Sequence, residues 1–372
     1  MKKLFLLLVF IPFLVFGESL YSPTWGFYID LPEGYEFHDG DARDRFSFAG
    51  PQGLMFDIII YADRYNSMLE LVNDVNRRLS NNGDVDFFEY NGKQAVIFKL
   101  DFGGNDGWGL ALELGGSSAR KPILLALAYA PNERTDLELF HLSALDSISP
   151  TEAELRYPGP IMEYGYPRGT AKSTPLAIRG LNALIYENDA EASQVLIERE
   201  YILLQYYLNT PLIQDAWVRY YRFIYRDSYD RIKDAASVIT RHFGGYTANT
   251  DAQKREFAQK VLTFIQNLQY ERFIYESDFL NLVSSVTEGK GDCDSHSMLF
   301  ALILAQVNIR GAMMLSPHYS HAMALADITG SGARVDAYGT NWLVAETTAK
   351  IDIGLIDQEQ ADITKWFVII FD

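Results

Sequence analysis

The amino-acid sequence predicts an α+β protein in three parts: an antiparallel-sheet/helix sandwich, a helical middle segment and a C-terminal lobe. Three observations carry that expectation. Residues 18–150 hold short apolar strands punctuated by glycine pairs, interrupted by one helical pattern and closed by another. Residues 171–245 show apolar spacing of helical period. Near residue 293 a glycine-rich loop turns into a helix that is apolar nearly all round, with two strands behind it.

The chain opens with Lys2 and Lys3 ahead of an uninterrupted apolar run, Leu4 to Phe16, ending at Gly17-Glu18. A positive start, a short apolar centre and a small residue before a charged one make residues 1–17 an expected signal peptide. The run of 13 residues is short of the ~20 that a membrane span needs. The expectation is therefore an exported protein, periplasmic or secreted, with no integral span after signal cleavage.

In the sandwich, Trp25 to Tyr35 reads as a strand stopped by the Pro32-Glu33-Gly34 turn. Phe46 to Phe48 and Leu54 to Tyr61 follow, around Gly50 and Gly53. Met68, Leu71, Val72, Val75 and Leu79 then mark a helix. Strands resume at Val85–Tyr90, Gln94–Phe102, Trp108–Leu114 and Ile123–Tyr129, and a helix closes the unit at Leu137–Ile148. The Asp39, Asp41 and Asp44 cluster lacks a calcium-loop pattern and reads as a solvated turn. The element order and the Gly26-Phe27-Tyr28-Ile29-Asp30-Leu31-Pro32 opening resemble the PsbP-like sandwich of small exported domains. That resemblance implies a binding or assembly module, and no catalytic set is visible in residues 18–150.

Residues 151–170 are rich in proline and glycine and read as a linker. Helical patterns follow at Leu176–Tyr186, Ala190–Leu208, Leu212–Tyr225 and Tyr229–His242. The stretch Tyr220 to Arg226 mixes aromatic and basic residues, and at helical spacing it reads as core. A formal net charge of −17 repels polyanions, so no nucleic-acid partner is expected.

Residues 246–372 hold the chemistry. A helix is expected at Phe257–Tyr270, a second segment leads into Gly289-Lys290-Gly291, and Cys293, the only cysteine of the chain, opens the apolar helix Met298–Val307. A thiol there faces unpaired N–H groups and the positive end of the helix dipole, which favour thiolate. Asp292 and Asp294 oppose that by their charge, although Asp292 is placed to cap the helix. Downstream, His321, Met323 and Leu325 alternate with Ala322, Ala324 and Ala326, while Trp342, Val344 and Glu346 share a face of the next strand. Antiparallel pairing of the two would make His321 and Glu346 neighbours. A last strand is expected at Trp366–Phe371.

Four pieces of residues 257–349 resemble the transglutaminase-like branch of the papain-type cysteine enzymes. They are Gln266-Asn267-Leu268-Gln269-Tyr270, Gly291-Asp292-Cys293, His321-Ala322 and Glu346-Thr347-Thr348. The family usually has an aromatic residue where Met323 stands and an aspartate before Pro-Thr where Glu346 stands. The resemblance implies a papain-like lobe and a Cys293–His321–Glu346 triad acting on a peptide, protein or amide substrate. Cys293 would be nucleophile, His321 base and then acid, and Glu346 the group that orients the imidazole. The Cys293 N–H, with Gln266 or Gln269, would face the oxyanion. Water as acceptor gives a peptidase or amidase, and an amine gives a transglutaminase; the resemblance favours hydrolysis. No cofactor and no metal is expected.

Two alternatives stand beside this reading. The spacing of Cys293 with His296, and of His318 with His321, offers Cys-x2-His and His-x2-His pairs that suit zinc. The same lobe with an altered acid also suits a non-enzymatic scaffold that binds peptide or glycan in the cell envelope.

Overall fold

A computed structural model describes residues 19–115, 122–272 and 277–371; the expected signal peptide lies outside the described residues. The chain is α+β. Its N-terminal part is a seven-stranded antiparallel sheet of β1 (Glu36–Gly40), β2 (Arg45–Ala49), β3 (Met55–Tyr61), β4 (Val85–Tyr90), β5 (Lys93–Phe102), β6 (Asn105–Glu113) and β7 (Ile123–Pro131). Their spatial order is β1-β2-β3-β7-β6-β5-β4. Helix α1 (Met68–Leu79) starts where the Ser67 hydroxyl accepts the Glu70 N–H at 3.2 Å. It lays Met68, Leu71, Val72 and Val75 on one face of the sheet, against Val96, Phe98, Leu100 and Leu125. Helix α2 (Glu138–Asp146) covers the other face, packing Ala144 and Leu145 with Phe56, Ile58, Leu110 and Ala126. Alternation in β3, with Phe56, Ile58 and Ile60 buried on one side, is what assigns the faces. Asp41 is spent on its own turn, accepting the N–H groups of Arg43, Asp44 and Arg45.

Three local expectations change. The strand expected over Trp25–Tyr35 is confined to Tyr28–Ile29, paired with Leu20–Tyr21. Residues 151–170, read as a linker, contain a short 3₁₀ turn at Glu152–Arg156 and helix α3 (Pro160–Gly165). The Asp146 carboxylate accepts the Ile161 and Met162 N–H groups at 2.8 and 3.1 Å, so α3 is capped from α2. The helix expected over Leu176–Tyr186 is instead a hairpin of β8 (Ala171–Pro175) and β9 (Asn182–Tyr186). Residues 182–186 bury Ala183 and Ile185 and leave Leu184 exposed, a period of two that a short apolar run conceals.

Helices α4 (Asp189–Tyr206), α5 (Ile213–Arg231) and α6 (Lys233–His242) follow. The aromatic residues of α5 are core, as expected, with Tyr220, Tyr221, Phe223 and Ile224 buried. Its arginines have a separate task. Arg219 donates to Glu200 Oε2 at 2.7 Å, Ser143 Oγ at 2.8 Å and the Asp30 carbonyl at 2.8 Å. Arg222 grips the Asp30 carboxylate at 2.6 and 2.7 Å. Arg226 donates to the Asp146 and Ile148 carbonyls at 2.9 and 3.0 Å, at the C-terminal end of α2 where a cation is favoured. These contacts fasten the sandwich to the helices, and Leu54, Ala130 and Phe140 of the sandwich belong to the same apolar core as α4, α5 and the C-terminal lobe.

The C-terminal part is a five-stranded antiparallel sheet of β10 (Gly311–Ser316), β11 (His321–Ala326), β12 (Arg334–Ala337), β13 (Thr340–Ala345) and β14 (Phe367–Ile370), in the order β12-β13-β11-β10-β14. Helices α7 (Asp251–Ile265), α8 (Leu282–Glu288) and α9 (Cys293–Ala305) pack with it. The two faces of β11 divide as the alternation predicts. Ala322, Ala324 and Ala326 join the core that contains α9, while Met323 and Leu325 join Trp342, Val344 and Trp366 on the far side. Small residues let α9 approach the sheet. At Gly311 a Cβ would stand 2.6 Å from Ala301 Cα, so no larger residue fits there without movement.

Candidate active site

Each expected site residue is delivered by a different element. Helix α8 ends on Gly289, left-handed at φ +76°, which reverses the chain. Lys290–Gly291 then pairs in parallel with Gln269–Tyr270, and α9 begins at Cys293. Asp292 is the N-cap, its carboxylate accepting the Ser295 N–H at 2.8 Å and the Ser295 hydroxyl. His321 opens β11 and Glu346 follows β13. The two strands pair with Ala324 opposite Ala345, which makes His321 and Glu346 diagonal neighbours. His321 Nε2 and Glu346 Oε2 are 2.8 Å apart.

The acid is well supported. Glu346 Oε1 accepts both the N–H and the hydroxyl of Thr348 at 2.6 Å. Burial opposes its charge, but the bonds to His321 and Thr348 outweigh it and hold the carboxyl below its ordinary range. The edge of the Trp366 ring system meets the His321 imidazole, with centroids 6.2 Å apart.

Cys293 is buried against the start of β11, where the Ala322 N–H points at its sulfur. The Tyr270 hydroxyl lies against the same sulfur. The imidazole does not bond the thiol here; Cys293 Sγ instead contacts Asp294 Oδ1 at 3.4 Å. The helix N-terminus does not depress the thiol as the sequence suggests. Burial, then the charges of Asp294 and Asp292, push it well above its ordinary value, against the Ala322 N–H. Both carboxyls are themselves raised, chiefly by burial, and Asp294 is steadied by the Tyr221 hydroxyl at 2.6 Å.

The remaining candidates separate. Gln266 donates to the Glu346 and Ile351 carbonyls at 2.9 and 2.8 Å, so both its donors are committed and it cannot serve an oxyanion. Gln269 is exposed. The zinc set is not assembled: His296 is buried in α9, with burial taking its imidazole down to about 4, whereas His318 is exposed beside Tyr319. Among the described residues the ligand-type side chains that do converge are Asp292, Cys293 and Asp294. Sequence reasoning missed Tyr270, Thr348 and Trp366. Tyr270 and Thr348 lie inside the quoted motifs, whereas Trp366 reaches His321 only through the pairing of β14 with β10.

The site is therefore a cysteine at the head of a buried helix, set against a histidine–carboxylate pair on an antiparallel sheet. No protein-family model matches the chain, and no curated protein does. Among solved structures, the chain is similar to a cyanobacterial PsbP from Synechocystis at 12% identity and TM-score 0.27, over 36% of this chain and 91% of that one. It is also similar to a candidate cysteine protease from Cytophaga hutchinsonii at 10% identity and TM-score 0.25, over 94% and 82%. A Bacteroides thetaiotaomicron protein matches at 10% identity and TM-score 0.25, over 59% and 79%. Likenesses of this strength fix neither fold nor activity for this chain.

Among the described residues no helix is long and apolar enough to cross a membrane.

Proposed function

We propose that this chain is an exported cysteine hydrolase of the transglutaminase-like class, cleaving a peptide or amide bond through Cys293, His321 and Glu346. The observation that supports it is the 2.8 Å pairing of His321 Nε2 with Glu346 Oε2, on the strand whose next residue directs its N–H at the Cys293 sulfur. With Nε2 held by the acid, Nδ1 is the nitrogen free to take the thiol proton. The sulfur turns from Asp294 to the imidazole, and an ion pair with the imidazolium offsets the nearby carboxylates. Thiolate adds to the acyl carbon, and the oxyanion meets the Cys293 N–H and the Tyr270 hydroxyl. The imidazolium protonates the leaving amine as the C–N bond breaks. Water, deprotonated by His321, then splits the thioester and restores the thiol.

Alkylation by iodoacetamide across pH tests this. A rate that stays high below the ordinary thiol range of ~8.5, and drops in His321→Ala, is the expected result. A rate that simply follows an ordinary or raised thiol would leave the scaffold reading, which the Asp294 contact of the sulfur favours. Stoichiometric zinc in the purified protein would overturn the thiol nucleophile. Export rests on residues 1–17; a mature chain beginning at Glu18 is expected on N-terminal sequencing, and a cytoplasmic chain retaining Met1 would refute it.

A further inference from the structure

A cavity of about 280 Å³ is walled in part by Trp217, Tyr220 and Tyr221 of α5 and by Arg272, Asp278 and Asp294. Trp217 and Tyr221 stack at 5.7 Å with planes 15° apart, and Tyr220 stands edge-on to both. Asp294 reaches both the thiol and this wall, since its Oδ1 touches Cys293 Sγ at 3.4 Å and its Oδ2 takes the Tyr221 hydroxyl at 2.6 Å. The Tyr220 hydroxyl belongs to a residue 3% exposed and has no hydrogen-bond partner among the described residues. Of the neighbouring acids, Asp294 and Asp278 line the cavity. Arg272, also on the cavity wall, is paired with Asp278. An anionic ligand would meet the Asp294 carboxyl, which Arg272 does not offset, whereas a cation would gain it together with the aromatic faces and the unused Tyr220 oxygen.

We infer that this cavity is a subsite for a cationic side chain of the substrate, an ammonium or guanidinium held between the α5 aromatic wall and Asp294. The assignment to a substrate rests on the hydrolase reading; the charge preference of the cavity does not. A ligand carrying that cation would bring its backbone amide to Cys293, because Asp294 borders both.

The test is binding to the full-length Cys293→Ala protein, which cannot turn over. N-acetyl-lysine amide and its uncharged counterpart N-acetyl-norleucine amide are titrated while Trp217 fluorescence or heat is followed. The lysine amide is expected to bind about tenfold more tightly, the scale of a desolvated cation on an aromatic face. That preference should collapse in Asp294→Asn and weaken several-fold in Tyr220→Phe, a change that disturbs no hydrogen bond among the described residues. Equal affinity for the two amides, no binding of either, or a preference unaffected by both substitutions would overturn the inference. A lysine preference in a protein whose Cys293 shows ordinary alkylation would leave the subsite standing and remove the hydrolase.

Discussion

Glu346 is the best-supported member of the candidate triad and Cys293 the least. The acid has three hydrogen bonds to hold one oxygen on His321 and the other on Thr348. Glu346→Gln should therefore slow Cys293 alkylation and any amidase turnover by about 10²-fold or more, and Thr348→Ala by less, as read by paired rate measurements. At Cys293 the two neighbouring carboxyls are raised by burial. A carboxyl whose folded pKa exceeds its unfolded value stabilises the fold below the unfolded value and loses that stability as pH rises through the folded one. Asp294→Asn should accordingly raise the melting temperature at neutral pH and change it little in acid, despite the lost Tyr221 and thiol partners. A lower melting temperature at neutral pH would show that the carboxylate is compensated as it stands. His296 and His141 titrate the other way, since burial lowers each to about 4. Between the ordinary histidine value of ~6.5 and about 4, the unfolded chain binds protons that the folded one refuses. Urea midpoints should fall through that window as pH falls.

At the scale of elements, the close seat of α9 on the sheet is what brings Cys293 to the start of β11. Three alanines of β11 and Gly311 of β10 form that seat. Gly311→Ala would press a methyl into Ala301 and should cost about 1–3 kcal/mol, measurable by urea denaturation. The same push, felt along α9, should slow Cys293 alkylation even where the protein stays folded. The alternation of β11 was legible in the sequence because a small-residue face beside a bulky one has few other uses. The hairpin at 171–186 was not, because Ala183, Leu184 and Ile185 form an apolar run that both periods accommodate.

Across the whole molecule, buried arginines join the sandwich to the helical middle segment. Arg219 bridges Glu200 of α4, Ser143 of α2 and the Asp30 carbonyl. Removing it leaves Glu200 with Arg199 as its charged partner and the Ser143 hydroxyl beside it, so Arg219→Ala should destabilise the protein by about 3 kcal/mol in a single unfolding transition. Calorimetry showing two separate transitions would contradict that coupling. A chain lacking residues 19–150 would expose this polar seam, together with Leu54 and Phe140 of the shared core, and is expected to be insoluble. Single substitutions are therefore the sounder probe of what the sandwich contributes.

The sequence alone determined the α+β class, the order cysteine, histidine, acid, the Asp292 cap, and most elements that carry them. Those features depend on residues close together in the chain, where period and turn chemistry act directly. Tertiary structure alone decided what surrounds the sulfur. Asp294 rather than His321 receives it, Gln266 is tied to the acid's own backbone, and α5 supplies both the aromatic wall and the clamp on the sandwich. The reason is physical: a pKa, a cavity or a buried charge is set by what comes near in space, and α5 and Asp294 meet only after some seventy residues of intervening chain have folded back.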